Sequence, residues 1–136
     1  MPKSTTTAND TLDAFLRAVD PAWRAGATRY IALHTADPAN AGTQLTSEAT
    51  YTSYARVAVT AATGFTSAAA GSSSNTGLIQ FPQCTGGTNV ITHVTIGTAA
   101  SGAGQIIYRG SLNASLSVAN LIQPQFSIGS LTASES

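Results

Sequence analysis

Two histidines, His34 and His93, one cysteine, Cys84, and six carboxylates spread over 136 residues are the whole stock from which this chain could build a reactive centre. An enzyme needs a nucleophile, a base of matched pKa and a group that steadies developing charge. His34 lies three residues before Asp37, a spacing at which a base could meet its orienter, but Asp37 precedes Pro38 and Asp-Pro is foremost a turn former. His93 stands inside the run Val90 to Ile96, where a hydrogen-bonded structural histidine is expected. Cys84, in Gln83-Cys84-Thr85-Gly86, has neither a basic neighbour nor a helix start to favour its thiolate, so it reads as an inert thiol. Gly86-Gly87 opens no helix and therefore no phosphate cradle. Two histidines and one cysteine match no metal-ligand spacing. The expectation is a protein that is not an enzyme and uses no metal or cofactor.

Arg56 is the charge that most needs explaining, because it stands in a β-type run where a covered, lone guanidinium would be costly. Its expected partner is Glu48 or Asp37, one of which would clamp the long preceding loop onto the sheet through a bidentate pair. Elsewhere charge is scarce. Charged residues make up 9% of the chain and the formal net charge is zero, so there is no basic field with which to hold a phosphate backbone, and nucleic acid is not an expected partner. After Arg56 only Arg109 and Glu135 are charged, among many Ser, Thr, Gly and Ala, as in a surface made for contact. No apolar stretch at the start has signal-peptide character and no run reaches the length of a membrane span, so a soluble protein without a membrane partner is expected. The length suits one folding unit with a core of its own.

The elements that would position these residues divide at about residue 24. In residues 1–24, Ser4 to Thr7 read as a disordered polar arm, and a helix follows with Leu12, Phe15, Leu16 and Val19 at i, i+3, i+4 and i+7. Thr7 and Asp10 suggest its start and Pro21 its stop after Asp20. The apolar stripe must be covered, by the chain's own sheet or by a neighbouring subunit. Residues 25–136 turn to a period of two. Strands are expected at Arg29 to His34, Tyr54 to Ala61, Leu78 to Phe81, Asn89 to Ile96, Gln105 to Arg109, Leu112 to Val118 and Leu121 to Ile128, with a further extended piece at Phe65. Pro124 marks an edge or bulge, Ala68 to Asn75 reads as a flexible loop, and Val90, Thr92, Val94 and Ile96 should share one face of a central strand. About eight strands after a single helix predict an all-β, jelly-roll-like antiparallel β-sandwich with one short N-terminal helix.

Laid out in this way, Tyr30 to Pro38, Ser47-Glu48, Tyr54 to Val59, Ile79 to Pro82, Ile91 to Gly97 and Gln123 to Phe126 resemble a pattern shared by small tailed-bacteriophage virion proteins. The resemblance spans roughly residues 28 to 131. Length and a free-standing domain make the chain most similar to capsid decoration, or cement, proteins with a jelly-roll fold. That likeness implies a protein made in the host cytoplasm and placed on the outside of the head. There it would bridge major capsid protein subunits and contact other copies of itself, with no catalytic residues. Leu12, Phe15, Leu16, Val19 and Trp23 are the expected capsid contacts, since repeated interfaces of about 800 Å² per partner suffice on a lattice. Two alternatives stand beside it: a tail-fibre or baseplate structural protein, and a carbohydrate-binding virion module in which Tyr51, Tyr54 and Trp23 would stack on sugars.

Overall fold

In the computed structural model, which describes residues 1–135, the chain folds into one helix, a 3-10 turn and eight strands in three antiparallel sheets. The helix is α1 (Thr5–Arg17) and the 3-10 turn is Ala22–Ala25. The strands are β1 (Thr28–His34), β2 (Val57–Thr60), β3 (Ser72–Ser74), β4 (Ile79–Gln80), β5 (Asn89–Gly97), β6 (Ile106–Val118), β7 (Gln125–Phe126) and β8 (Thr132–Ser134). One sheet has four strands in the order β2-β1-β5-β6, while β3 pairs with β8 and β4 with β7 as two-stranded ribbons. The expected β content, strand number and single N-terminal helix are present. This four-two-two division does not show a jelly roll, which would need two larger packed sheets.

The main sheet forms because its middle strands are apolar along nearly their whole length. Ile31 of β1 lies opposite Ile96 of β5, and Leu33 opposite Val94, so these four side chains share one face and carry the core. Val118 at the end of β6 joins them, and the ribbons and connecting segments close over the face with Tyr51, Ile79, Phe81, Cys84 and Leu131. Phe81 is fully buried, stacked parallel to Tyr54 at 6.3 Å and edge-on to Phe126, and burying such a ring is worth about 2–3 kcal/mol.

The opposite face of β1 is covered too. Ala32 and His34 are buried because the loop after β1 folds back over them and drives Gln44 into the interior. The Gln44 amide donates to the Tyr30 carbonyl at 2.9 Å and its oxygen accepts from the Ala99 N–H at 3.3 Å. Gly97 and Gly104 make the room: a Cβ on Gly97 would lie 2.1 Å from the Gln44 side-chain carbon.

Several expectations give way to tertiary structure. β6 is one continuous strand where two were expected, and its irregular pairing with β5 between Ile91 and His93 breaks the predicted alternation. Ile91 consequently joins the core while Val90 is exposed. β5 is nonetheless the central strand, flanked by β1 and β6. Ala68 to Asn75 is not a free loop, since β3 lies within it and pairs with the C-terminal β8. Of Leu121 to Ile128 only Gln125–Phe126 forms a strand, and Leu121 and Ile128 face water. Pro124 lies just before β7, and its carbonyl accepts from the Phe81 N–H.

The start of the chain is ordered where an arm was expected. Ser4 caps α1, its hydroxyl accepting from the Thr7 N–H at 3.2 Å, and the Ser4 and Thr7 hydroxyls both donate to the Ile106 carbonyl of β6, at 2.7 and 2.6 Å. The helix ends at Arg17, well before Pro21: Ala18 takes a left-handed conformation and the Val19 N–H reaches back to the Asp13 carbonyl. Met1 and Lys3 extend the same anchorage, their ammonium groups meeting Ser134 and Glu135. Among the described residues no helix is long and apolar enough to cross a membrane.

Candidate functional site

The side of α1 that meets the domain is polar. Thr7, Asp10, Thr11 and Ala14, at i, i+3, i+4 and i+7, are buried or half-buried, and Asp10 accepts from the Gln105 amide at 2.9 Å. Hydroxyls and a carboxylate suit this place because the start of β6 offers a backbone carbonyl and an amide there. The apolar stripe therefore points away. Phe15 is 81% and Leu16 79% exposed, with Leu12 and Val19 about half exposed, so the expected packing of this stripe on the chain's own sheet does not occur. Leu12, Phe15 and Leu16 thus form an exposed apolar face on the last turns of α1, with Val19 just beyond its end.

Trp23 lies apart from that stripe. It is half-buried on the 3-10 turn, its indole N–H donates to Asp10 at 2.8 Å, and the Arg29 guanidinium sits over its ring at 5.6 Å. Burial lowers the Arg29 pKa from its usual value.

The structure brings Arg56 and Glu48 together and keeps Asp37 away from them. Arg56 Nε and Nη2 donate to the two Glu48 oxygens at 2.6 and 2.9 Å, and the remaining N–H groups reach the carbonyls of Ala99 and Gly102. Only 2% of the Arg56 side chain is exposed. Glu48 also accepts from the Tyr54 hydroxyl, which in turn accepts from the Leu33 N–H of β1. The pair thus ties three segments, 46–56, β1 and 99–102, into one knot. Burial, first, and the neighbouring Glu48 push the Tyr54 hydroxyl far above its usual pKa.

Asp37 belongs to a second clamp. It accepts from the Ala39 N–H at 2.9 Å, as a turn former does, and from Arg109 of β6 at 2.6 and 2.7 Å. The Ala39 bond and then Arg109 hold its carboxyl below the usual aspartate range. His34 does not meet Asp37: Nδ1 contacts the Thr46 carbonyl at 2.8 Å and Nε2 the Thr95 hydroxyl at 2.9 Å, both within the fold. Burial lowers its pKa. His93 contacts the neighbouring Thr92 hydroxyl, and Cys84 is buried with its thiol toward the Gly86 carbonyl. Among the described residues no three His, Cys, Asp or Glu side chains gather as metal ligands would.

Tyr51 and Tyr54, the expected sugar-stacking pair, are core residues. Tyr51 is buried and donates to the Pro82 carbonyl, and the two rings meet edge-on at 5.4 Å. Burial raises the Tyr51 pKa to about 12. Neither ring is free to stack on a saccharide. The residues that escaped sequence reasoning are Ser4, Thr7, Gln44 and Arg109. Ser4-x-x-Thr7 carried a capping signal, whereas nothing local in the sequence marks Gln44 for burial.

Polar side chains are spent inside the fold and an apolar face is left outside, an arrangement suited to contact with another protein surface. The comparison of families agrees and is more specific. Residues 2–134 match the model of the family described as podophage GP4 fiber I protein gp80, and the chain belongs to that family. It is a bacteriophage virion component of the fibre, not an enzyme. No curated protein matches the chain. The expectation of a head-decorating cement protein is thereby overturned, and the fibre alternative takes its place.

Proposed function

We propose that the chain is a building subunit of the phage fibre, held to a second copy of itself through the outer face of α1. The observation that carries this reading is the exposed group of Leu12, Phe15 and Leu16 on α1 and Val19 just past its end, beside a helix whose opposite side is fastened to the sheet. These four side chains offer on the order of 500 Å² of apolar surface. The same face pairing about a two-fold axis would bury about 1,000 Å² in total, the lower end of what a specific interface needs. The expected contact with the major capsid protein is not part of this reading.

The double variant Leu12→Ser, Leu16→Ser tests this. By sedimentation velocity, the wild-type chain associates with rising concentration, while the variant stays monomeric with an unchanged circular dichroism spectrum. Equal association of the two proteins contradicts the role of α1.

A further inference from the structure

Between α1, the 3-10 turn and β6 lies an open cleft of about 500 Å³, bounded by Thr11 and Ala14 of the helix, Trp23, and Ile107 and Tyr108 of β6. This volume lies within the usual range of small-molecule sites, about 300–1,000 Å³. Three aromatic side chains line it, Phe15, Trp23 and Tyr108, and Trp23 is braced: Arg29 lies over its ring, and Asp10 holds its N–H. A ring fixed at face and edge in this way is a rigid platform, with little side-chain freedom left to lose when something stacks upon it.

The polar groups around the cleft say what kind of molecule fits. Lys3 and Arg24 bring two positive charges, Asp10 and Glu135 two negative, so the lining selects for neither anion nor cation. Five ion pairs join the other carboxylates to cations, but Asp10 has none. Its Oδ2 takes the Trp23 and Gln105 N–H groups, and its Oδ1 has no hydrogen-bond partner within the described residues. Donors and acceptors thus stand side by side around an aromatic, electrically balanced hollow. Groups that donate and accept at once, on a ring with an apolar C–H face, answer that pattern.

We infer that this cleft binds a neutral pyranose sugar, its C–H face on the Trp23 ring and a hydroxyl donating to Asp10 Oδ1. The named contacts, Trp23 and Asp10, lie outside the outer stripe of α1, of which Phe15 alone also lines the cleft.

Trp23 is the only tryptophan, so fluorescence excited selectively at tryptophan reports on this cleft alone. Titration with glucose, galactose, N-acetylglucosamine and the disaccharides maltose, lactose and chitobiose, each to about 50 mM, covers millimolar affinities. At least one sugar gives a saturable change, seen also by ligand-observed NMR. Asp10→Asn weakens it about tenfold, the loss of one hydrogen bond to a charged acceptor, and Trp23→Ala abolishes the NMR signal in a protein whose circular dichroism is unaltered. No saturable binding of any of the six sugars by either method overturns the inference. So does binding indifferent to both substitutions, or tighter binding of glucose 6-phosphate than of glucose.

Discussion

Arg56 is covered almost completely, and a covered guanidinium that loses its carboxylate is left as an uncompensated charge. Glu48→Gln therefore destabilises the fold by about 3 kcal/mol, the low end for a broken buried pair because the Ala99 and Gly102 carbonyls remain. Thermal unfolding should show this as a fall in Tm of roughly 10 °C. His34 contributes a pH dependence of known sign. Its pKa in the folded chain lies below the ordinary value of 6.5, so as pH falls past about 6.5 the unfolded state takes up a proton that the folded state refuses. Stability is complete above that value and declines below it, until the folded-state pKa is reached. Tm measured between about pH 7.5 and 5 should drop for the wild type, and His34→Gln should remove that part of the slope. At this scale the sequence was partly legible. A lone arginine in a β run demands an acid, and that requirement could be stated from Arg56 alone. The choice between Glu48 and Asp37 rests on how the loop after β1 is folded, and the partner that Asp37 takes, Arg109, lies 72 residues away.

Helix α1 shows how an element can be foreseen while its orientation stays open. Its periodicity was plain, but the stripe that marked it is the face turned to water, because Ser4 and Thr7 find a carbonyl on β6 that an apolar side chain could not use. Those hydroxyls hold the helix in place. Thr7→Val keeps the shape and removes the bond to Ile106, leaving a buried carbonyl with the Ser4 hydroxyl alone, and costs about 1–2 kcal/mol in denaturant unfolding. Gly97 has a comparable structural burden in the sheet. With Gln44 packed against it, Gly97→Ala forces that side chain out and strips its bonds to Tyr30 and Ala99, so unfolding should move to clearly lower temperature, whereas Gly77→Ala, where a Cβ meets nothing, should not shift it in this way. The strands of the main sheet were legible because alternation or continuous apolarity marks them. β3 and β8 were not, since Ser72–Ser74 and Thr132–Ser134 have no apolar pattern and become strands only by finding each other.

For the molecule as a whole, sparse charge and the absence of a reactive constellation pointed to a protein that acts by contact, and the family agrees in making it a fibre component. What the strand pattern could not encode is position in the particle, because a fold does not by itself fix function. Position is also where the account is most directly tested. Cryo-electron microscopy of virions in which the chain carries a small C-terminal label should place label density on the fibres and leave the capsid lattice bare. Label distributed over the head, with unlabelled fibres, would contradict the account.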